Sequence, residues 1–206
     1  MAPGATHAPH HVPQEWADKY RGRFDGGWDV LRETIFARQK ELSVVPPDCE
    51  LTPRHGEIPA WDDTPAELKP ILARQMEVYA GFLEHTDHHV GRLVDALWDL
   101  GVLDDTLIYY IIGDNGASAE GDITGTFNEL LNLNGAAEVQ TAGFMASRID
   151  DFGTPKAYNH YAVGWAHAMD TPYQCTMVPL RVPPQCEATC FVHWYGVSIA
   201  WAQPTA

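Results

Sequence analysis

A long helical pattern that leads through a short turn into an apolar run constrains the fold more than any other feature of this sequence. Residues 64–67 (TPAE) match a capping box with proline at the first helical position, and Gly101 is a suitable residue for the helix C-terminus. Between them, apolar residues recur at three- and four-residue spacings, apart from a gap near His85: Leu68, Leu72, Met76, Tyr79, Leu83, Val90, Leu93 and Leu97. This spacing predicts one long amphipathic helix with one face towards the core. A second, shorter helix is predicted from about Trp28 to Leu42.

The apolar run TLIYYIIG, at residues 106–113, follows the long helix after the turn residues Asp104 and Asp105. It is rich in β-branched and aromatic residues and lacks polar alternation, which is typical of a central strand covered on both faces. A helix, a tight turn and a buried strand together predict an α/β fold, with a mostly parallel sheet flanked by helices. In such sheets ligands bind beyond the carboxyl ends of the strands, which is where Asp114 and Asn115 are expected.

Asp114 and Asn115 permit two interpretations from their residue types alone. A carboxylate and a carboxamide oxygen on adjacent residues can both bind one hard cation, such as Ca²⁺ or Mg²⁺. An Asn-Gly pair, here Asn115 and Gly116, is also typical of a simple turn. The buried strand predicted just before the pair strengthens the cation interpretation and leaves both open.

Two groups of histidines offer further candidate chemistry. His7, His10 and His11 lie among prolines in the N-terminal segment, where an imidazole could donate a proton or a hydrogen bond to an anion. From their spacing alone, an exposed terminal cluster is the simpler interpretation. His85 and His89 share a helix face at i,i+4 and could bind a metal, although a solvated helix face is the simpler interpretation.

The composition of the 206 residues indicates a folded protein and argues against two classes of partner. Hydrophobic residues make up 45% of the chain, enough for a core, and the formal net charge is −15. Because that charge repels phosphate backbones and anionic lipid, we expect neither a nucleic-acid partner nor a membrane partner. The first residues, MAPGATHAPHHVP, lack the basic and apolar regions of a signal peptide, which predicts a soluble protein and leaves its compartment open.

Three stretches together resemble the arylsulfatase branch of the sulfatase family, which has the alkaline-phosphatase-like fold. They are ATHAPHHVPQEWADKYRGRFDGGWDVLRE at residues 5–33, YAGFLEHTDHHVGRLVDALWDLGVLDDTLIYYIIGDNGAS at residues 79–118 and YNHYAVGWAHAMDTPYQ at residues 158–174. The likeness identifies residues 1–174 as the central part of a sulfatase catalytic domain. Residues 175–206 are predicted to be a divergent tail rich in cysteine and proline.

The resemblance implies a function for three residues. Asp114 and Asn115 correspond to family residues that supply oxygen ligands to Ca²⁺, and His7 corresponds to a histidine that faces the sulfate ester and assists the leaving oxygen. The family hydrolyses sulfate monoesters of small molecules with a formylglycine made from Cys or Ser in a C/S-x-P-x-R motif. This sequence contains no such motif, and the resemblance places it, with the remaining acidic calcium ligands, in a segment before residue 1. The chain alone is therefore expected to be inactive or nearly so.

A second departure from the family lies near the C-terminus. The family has a sulfate-contacting lysine three residues after TPYQ, where this chain has Met177. The family-like FVHWYG at residues 191–196 resumes at the expected length, so two compensating frameshifts would explain residues 175–190. They would also explain Cys186 and Cys190 without a zinc site, for which their CxxxC spacing is a weak signal.

Two alternatives to a calcium-dependent sulfatase remain open from the sequence. One is a phosphate or phosphonate ester hydrolase of the same fold, which would need a serine or threonine nucleophile and more metal-binding residues upstream. The other is a non-catalytic remnant that binds a metal without turnover. Metal binding that depends on Asp114, in the absence of hydrolysis, would favour the second.

Overall fold

Helices form nearly all of the regular structure in this computed structural model, which describes residues 1–110 and 116–174. Six α-helices lie in these ranges: α1 Gln14–Asp18, α2 Gly27–Glu41, α3 Lys69–Asp99, α4 Glu129–Leu133, α5 Ala142–Ala146 and α6 Val163–Met169. Three single turns of 3-10 helix lie at Leu103–Asp105, Ala137–Val139 and Ile149–Asp151. The predicted divergent tail lies outside the described residues, as do Asp114, Asn115 and Met177.

The long predicted helix is confirmed as α3, although it does not begin at the predicted capping box. The hydroxyl of Thr64 donates to the carbonyl of Ala60 at 3.2 Å instead of accepting from amides of the helix. The chain then makes a turn in which the Leu68 N–H donates to the Pro65 carbonyl at 3.0 Å, and α3 starts at Lys69. The start was predicted too early because a local motif was satisfied by a preceding turn.

The end of α3 lies where the sequence predicts it. Gly101 has φ +68°, a left-handed conformation that glycine adopts without steric cost. Its N–H donates to Trp98 at 2.8 Å, and the N–H of Val102 donates to Leu97 at 3.1 Å. These two bonds form a Schellman motif, which satisfies carbonyl groups at the end of the helix.

The two halves of α3 differ in burial. Residues 71–78 are all buried, including Arg74 and Glu77, whose side chains pair at 3.0 Å. By contrast Leu83 and Leu93, both predicted to face the core, are 50% and 44% exposed. The prediction of a core-facing stripe along the whole helix is therefore wrong, because the hydrophobic clusters of the described residues lie against the first half. Neither α3 nor any other described helix is long and apolar enough to cross a membrane.

The predicted central strand is not formed by the part of it that the structure describes. Residues 106–110 belong to no strand, and Leu107 and Tyr109 are 74% and 67% exposed. A strand gains its stability from hydrogen bonds and packing with a neighbouring strand, and no described segment pairs with this one. The parallel sheet that the sequence predicts is thus not seen in residues 1–110 and 116–174.

Three tryptophans form the centre of the first hydrophobic cluster. The ring centroid of Trp28 on α2 lies 4.8 Å from that of Trp61 and 5.6 Å from that of Trp165 on α6. The indole N–H groups of Trp28 and Trp165 donate to the carbonyls of Pro59 and Leu72 at 3.1 and 2.9 Å. Burial of these large rings with their polar atoms satisfied joins α2 and α6 to the start of α3.

A second hydrophobic cluster lies against other residues of α3. Ile71 and Val78 contribute to it, together with Phe127, Met145 and Phe152 from the segments that follow. The ring of Phe127 meets that of Phe152 edge to face, with centroids 5.4 Å apart. The first half of α3 therefore separates two cores, and the connecting segments on both sides are positioned by it.

Candidate functional site

His7 lies in an exposed turn of the N-terminal segment. Its Nδ1 donates to the carbonyl of Ala8 at 2.7 Å, and its backbone N–H donates to Gly4 at 3.1 Å. Because a carbonyl can only accept, the bond at Nδ1 directs the remaining ring nitrogen, Nε2, to act as the proton carrier or acceptor. This histidine is positioned by its own segment, and its Nε2 has no hydrogen-bond partner in the part of the chain that the structure describes.

The neighbouring histidines have structural roles. His10 is buried, its ring stacks on Tyr161 at a centroid distance of 5.3 Å, and the ring of Tyr79 meets it edge to face at 5.1 Å. Burial, together with the charges of nearby histidines, holds the pKa of His10 well below its usual value, so the ring is neutral. His11 donates through Nε2 to the carbonyl of Ala157 at 2.7 Å. Both residues anchor the segment that carries His7.

Ala117, the second residue after Asn115, is held by a carboxylate that the sequence analysis did not identify. The N–H of Ala117 donates to Oδ1 of Asp170 at 2.7 Å. Burial raises the pKa of Asp170 to about 7, and the Ala117 N–H and the charge of Arg32 oppose that rise. The other oxygen, Oδ2, is sealed from solvent and has no hydrogen-bond partner among the described residues. Such an oxygen is costly to leave ionised and unpaired, and either a proton or a cation would remove that cost.

A second group that sequence reasoning missed consists of Glu120, Glu129 and His160. One ligand atom from each side chain lies within 4.8 Å of the corresponding atoms of the other two. Glu129 reaches His160 because Thr126 and His160 exchange backbone hydrogen bonds at 3.0 and 3.2 Å, and the Glu129 N–H donates to Tyr158 at 2.8 Å. No spacing rule links residues that lie 9 and 31 positions apart, so only the pairing of these two segments brings them together.

The predicted i,i+4 pair on α3 is close in space. The Nε2 atoms of His85 and His89 lie 3.0 Å apart, and Trp16 packs against the ring of His85 with centroids 5.1 Å apart. Both side chains are partly exposed. The pair is thus adequately explained by a solvated helix face with one aromatic neighbour.

The three stretches that carry the sulfatase resemblance contact one another. The hydroxyls of Thr6 and Tyr79 lie 2.9 Å apart and link the first stretch to the second. His10 packs on Tyr161 and links the first to the third. The bond from Ala117 to Asp170 links the second to the third. Segments far apart in sequence therefore meet at one place, next to His7 and to the residues after Asn115.

Comparison with known proteins identifies the class to which this arrangement belongs. The sulfatase family model matches residues 1–175 of the chain. The chain therefore belongs to the sulfatase family, as its residues predict. Membership implies the alkaline-phosphatase-like fold, and members of the family are generally metal-dependent.

Two relatives show which sulfatases the chain is similar to. It is 33% identical over 169 residues to an uncharacterized sulfatase of Schizosaccharomyces pombe, an alignment that covers 82% of this chain and 29% of the relative. It is 27% identical over 172 residues to an arylsulfatase of Klebsiella aerogenes, which covers 82% of this chain and 34% of that protein. The chain thus spans about a third of the length of these relatives.

The formylglycine that the resemblance implies has no precursor in this chain, because no C/S-x-P-x-R motif occurs in its 206 residues. No catalytic step through a formylglycine can be assigned to the residues present. What the described residues can do is position His7, anchor the backbone beside Asp114 and Asn115, and provide the separate cluster of Glu120, Glu129 and His160.

Proposed function

We propose that this chain is the central part of an arylsulfatase-like catalytic domain, whose complete form hydrolyses a sulfate monoester of a small molecule. The family match over residues 1–175 carries the proposal, since it includes His7, Asp114 and Asn115. The contacts among the three sulfatase-like stretches support it, because a catalytic site needs them at one place.

Asp114 and Asn115 would hold Ca²⁺, and Asp170 would anchor the backbone at Ala117, two residues after Asn115. When bound, the cation would neutralise negative charge on the sulfate group. The Asp170 carboxylate accepts from the Ala117 N–H, so it restrains the backbone directly after the proposed ligands. An anchored backbone keeps oxygen ligands preorganised, which lowers the entropic cost of binding.

His7 would face the ester and assist the departure of the leaving oxygen. Its Nε2 is the ring nitrogen that forms no hydrogen bond with residues 1–110 or 116–174. A protonated imidazole at this place donates a proton to the leaving alcohol or phenol, which stabilises the developing negative charge. His10 is an unsuitable candidate for this role because it is buried and neutral.

The chain by itself should bind Ca²⁺ weakly and hydrolyse nothing. Ca²⁺ takes about 6–8 oxygen ligands, and Asp114 and Asn115 supply fewer than that. Without the nucleophile motif, no covalent sulfate intermediate can form. A phosphate or phosphonate ester hydrolase of the same fold is the alternative enzyme, and a non-catalytic metal-binding remnant is the alternative without turnover.

The test is a calcium titration of the chain followed by NMR, with the double variant Asp114→Ala/Asn115→Ala and the control Asp104→Ala/Asp105→Ala. The control removes two exposed acidic residues from the turn just before the same segment. We expect a Kd of about 1 mM or weaker for the wild type and the control, and no saturable binding for the double variant. Equal binding by all three proteins would contradict the proposed site.

Hydrolysis is measured in parallel with 4-nitrophenyl sulfate and 4-nitrophenyl phosphate, with and without Ca²⁺. We expect no release of nitrophenol above the uncatalysed rate from either ester. Calcium-dependent release from the sulfate ester would contradict the proposed inactivity of the chain, while release from the phosphate ester alone would favour the phosphatase alternative.

A further inference from the structure

We propose that Glu120, Glu129 and His160 bind a divalent transition-metal ion of the Mn²⁺ or Zn²⁺ kind, at a site separate from Asp114 and Asn115. Their ligand atoms lie within 4.8 Å of one another. Metal–ligand bonds of about 2.1 Å put two ligands of one ion about 3–4 Å apart, so small side-chain rotations would close the cluster on an ion. The site is independent of the sulfatase function proposed above.

His160 has the hydrogen bond that metal-binding histidines require. Its Nδ1 donates to the carbonyl of Tyr161 at 2.9 Å, and the side chain is 2% exposed. That bond fixes the tautomer and leaves the lone pair on Nε2. Burial lowers the pKa of His160, which favours the neutral form that binds metal.

Glu129 has a buried oxygen that lacks a partner. The residue is 5% exposed, and its Oε2 forms no hydrogen bond with any residue of the described ranges. Burial raises the pKa of Glu129, the nearby carboxylate of Glu120 raises it further, and His7 opposes both. Two carboxylates side by side, one of them buried, are costly unless a proton or a cation lies between them.

The backbone at Gly121 packs tightly against Tyr161 and His160, which holds the cluster in place. A Cβ added to Gly121 would lie 1.8 Å from the carbonyl oxygen of Tyr161 and 2.9 Å from Nδ1 of His160. Only glycine permits this contact, which sets the neighbouring Glu120 against His160. The hydroxyl of Ser118 donates to Glu120 at 3.2 Å and restrains its carboxylate.

The ligand set selects the class of ion. Ca²⁺ and Mg²⁺ take oxygen ligands, so an imidazole in the set disfavours both. Zn²⁺, Mn²⁺ and similar ions accept a mixture of imidazole and carboxylate ligands. With three protein ligands, at least one position on the ion is left for water or a substrate.

The experiment measures Mn²⁺ binding to the full chain by electron paramagnetic resonance. Mn²⁺ is the probe because Zn²⁺ would also bind the cysteines and the His85–His89 pair. The test variants are Glu129→Gln and, as a less buried second variant, Glu120→Gln, which retains the oxygen that accepts from Ser118. The control is Glu138→Gln, the same change at an exposed position. Circular dichroism spectra verify that each variant is folded.

We expect the wild-type chain to bind one Mn²⁺ ion. The affinity should fall by about tenfold or more in both test variants and stay unchanged in Glu138→Gln. Bound Mn²⁺ should also show nitrogen hyperfine coupling that is lost in His160→Gln. Binding should persist in Asp114→Ala/Asn115→Ala, which separates this site from the proposed calcium site. Three results would overturn the inference. The first is that no Mn²⁺ binds below about 1 mM, the weak end of specific binding. The others are wild-type affinity in both Glu129→Gln and Glu120→Gln, or Mn²⁺ binding that depends on Asp114 and Asn115.

Discussion

Arg32 is a buried arginine whose guanidinium group connects segments that lie far apart in the sequence. It is 4% exposed, lies on α2 and joins that helix to the chain after α6 and to the segment before α3. Its two terminal nitrogens donate to the carbonyl of His167, the hydroxyl of Thr171, the carbonyl and hydroxyl of Thr52 and the carbonyls of Pro172 and Tyr173. A planar guanidinium has two terminal nitrogens that can donate to acceptors on different segments at once. A lysine ammonium has a single nitrogen and cannot reach all of them.

Arg32→Lys should lower the free energy of unfolding by about 2–4 kcal/mol, because several buried acceptors lose a donor that lysine cannot replace. Urea denaturation followed by tryptophan fluorescence measures the change. The control is Arg38→Lys on the same helix, whose exposed side chain pairs only with Glu41 among the described residues. We expect the control to change stability by less than about 0.5 kcal/mol. Equal stability of Arg32→Lys and the wild type would show that the hydrogen bonds of the Arg32 guanidinium do not stabilise the folded protein.

His167 should make stability depend on pH. Burial, together with the charge of Arg32, lowers its pKa from 6.5 to about 4. As the pH falls from about 6.5 towards 4, the unfolded chain binds a proton at this residue before the folded protein does, so the free energy of unfolding falls. Between pH 7 and pH 5 this residue should contribute a loss on the order of 2 kcal/mol.

The measurement for His167 is urea denaturation of the wild type and of His167→Gln at pH 7 and at pH 5. Other buried histidines, such as His10, act in the same direction and are common to both proteins. We therefore expect the variant to lose less stability than the wild type over this range. An identical loss in the two proteins would show that His167 is not held neutral in the folded state.

At the scale of elements, α3 contains two glycines whose surroundings differ. A Cβ on Gly81 would lie 2.6 Å from the backbone nitrogen of Ala17 and 2.7 Å from its Cα, whereas a Cβ on Gly91 would meet nothing within 4 Å. Gly81 thus permits the close packing of α1 on α3. Gly91 only weakens the helix.

Gly91→Ala should raise the free energy of unfolding by about 0.5–1 kcal/mol, because alanine favours the helix and meets no neighbour. Gly81→Ala should lower it by about 1–3 kcal/mol, since a backbone contact must widen. Thermal and urea denaturation of both variants measure the difference, and each serves as the control of the other. Stabilisation by both substitutions would mean that α1 does not pack against α3 at Gly81.

Local sequence patterns were sufficient to predict a helix but not a strand. The helix predicted from about Trp28 to Leu42 is α2, Gly27–Glu41, because its signals are local: glycines before it and prolines after it. The strand predicted over residues 106–113 is not found in its described part. Strand formation depends on a neighbour that periodicity cannot supply.

At the scale of the whole molecule, the chain combines a strongly negative net charge with a locally exposed apolar segment. The formal charge is −15, yet Leu107 and Tyr109 are 74% and 67% exposed in a β-prone run. Net repulsion keeps copies of the chain apart at low ionic strength, but salt screens it within about 10 Å. An exposed, β-prone apolar segment that pairs with no strand of the described ranges then favours association.

Leu107→Lys/Tyr109→Lys should reduce salt-induced association of the chain, with little effect on stability because both side chains are already exposed. Light scattering at low and high ionic strength measures association, and urea denaturation measures stability. Leu42→Lys is a control, since Leu42 is 56% exposed but lies outside this run. If the control suppresses association as strongly as the double variant, the cause is charge alone and the segment has no specific role.

The sequence by itself determined the features that depend on neighbouring residues: the existence of α2 and α3, the Schellman end at Gly101, and the family membership of the chain. Helix periodicity and capping act over three to six residues, so they can be read directly. Only the tertiary structure decided which distant groups meet. Glu120, Glu129 and His160 converge because two irregular segments pair, and Asp170 reaches Ala117 across 53 positions. These contacts depend on the paths of the loops and on packing between distant segments. No periodic pattern in the sequence reports on either.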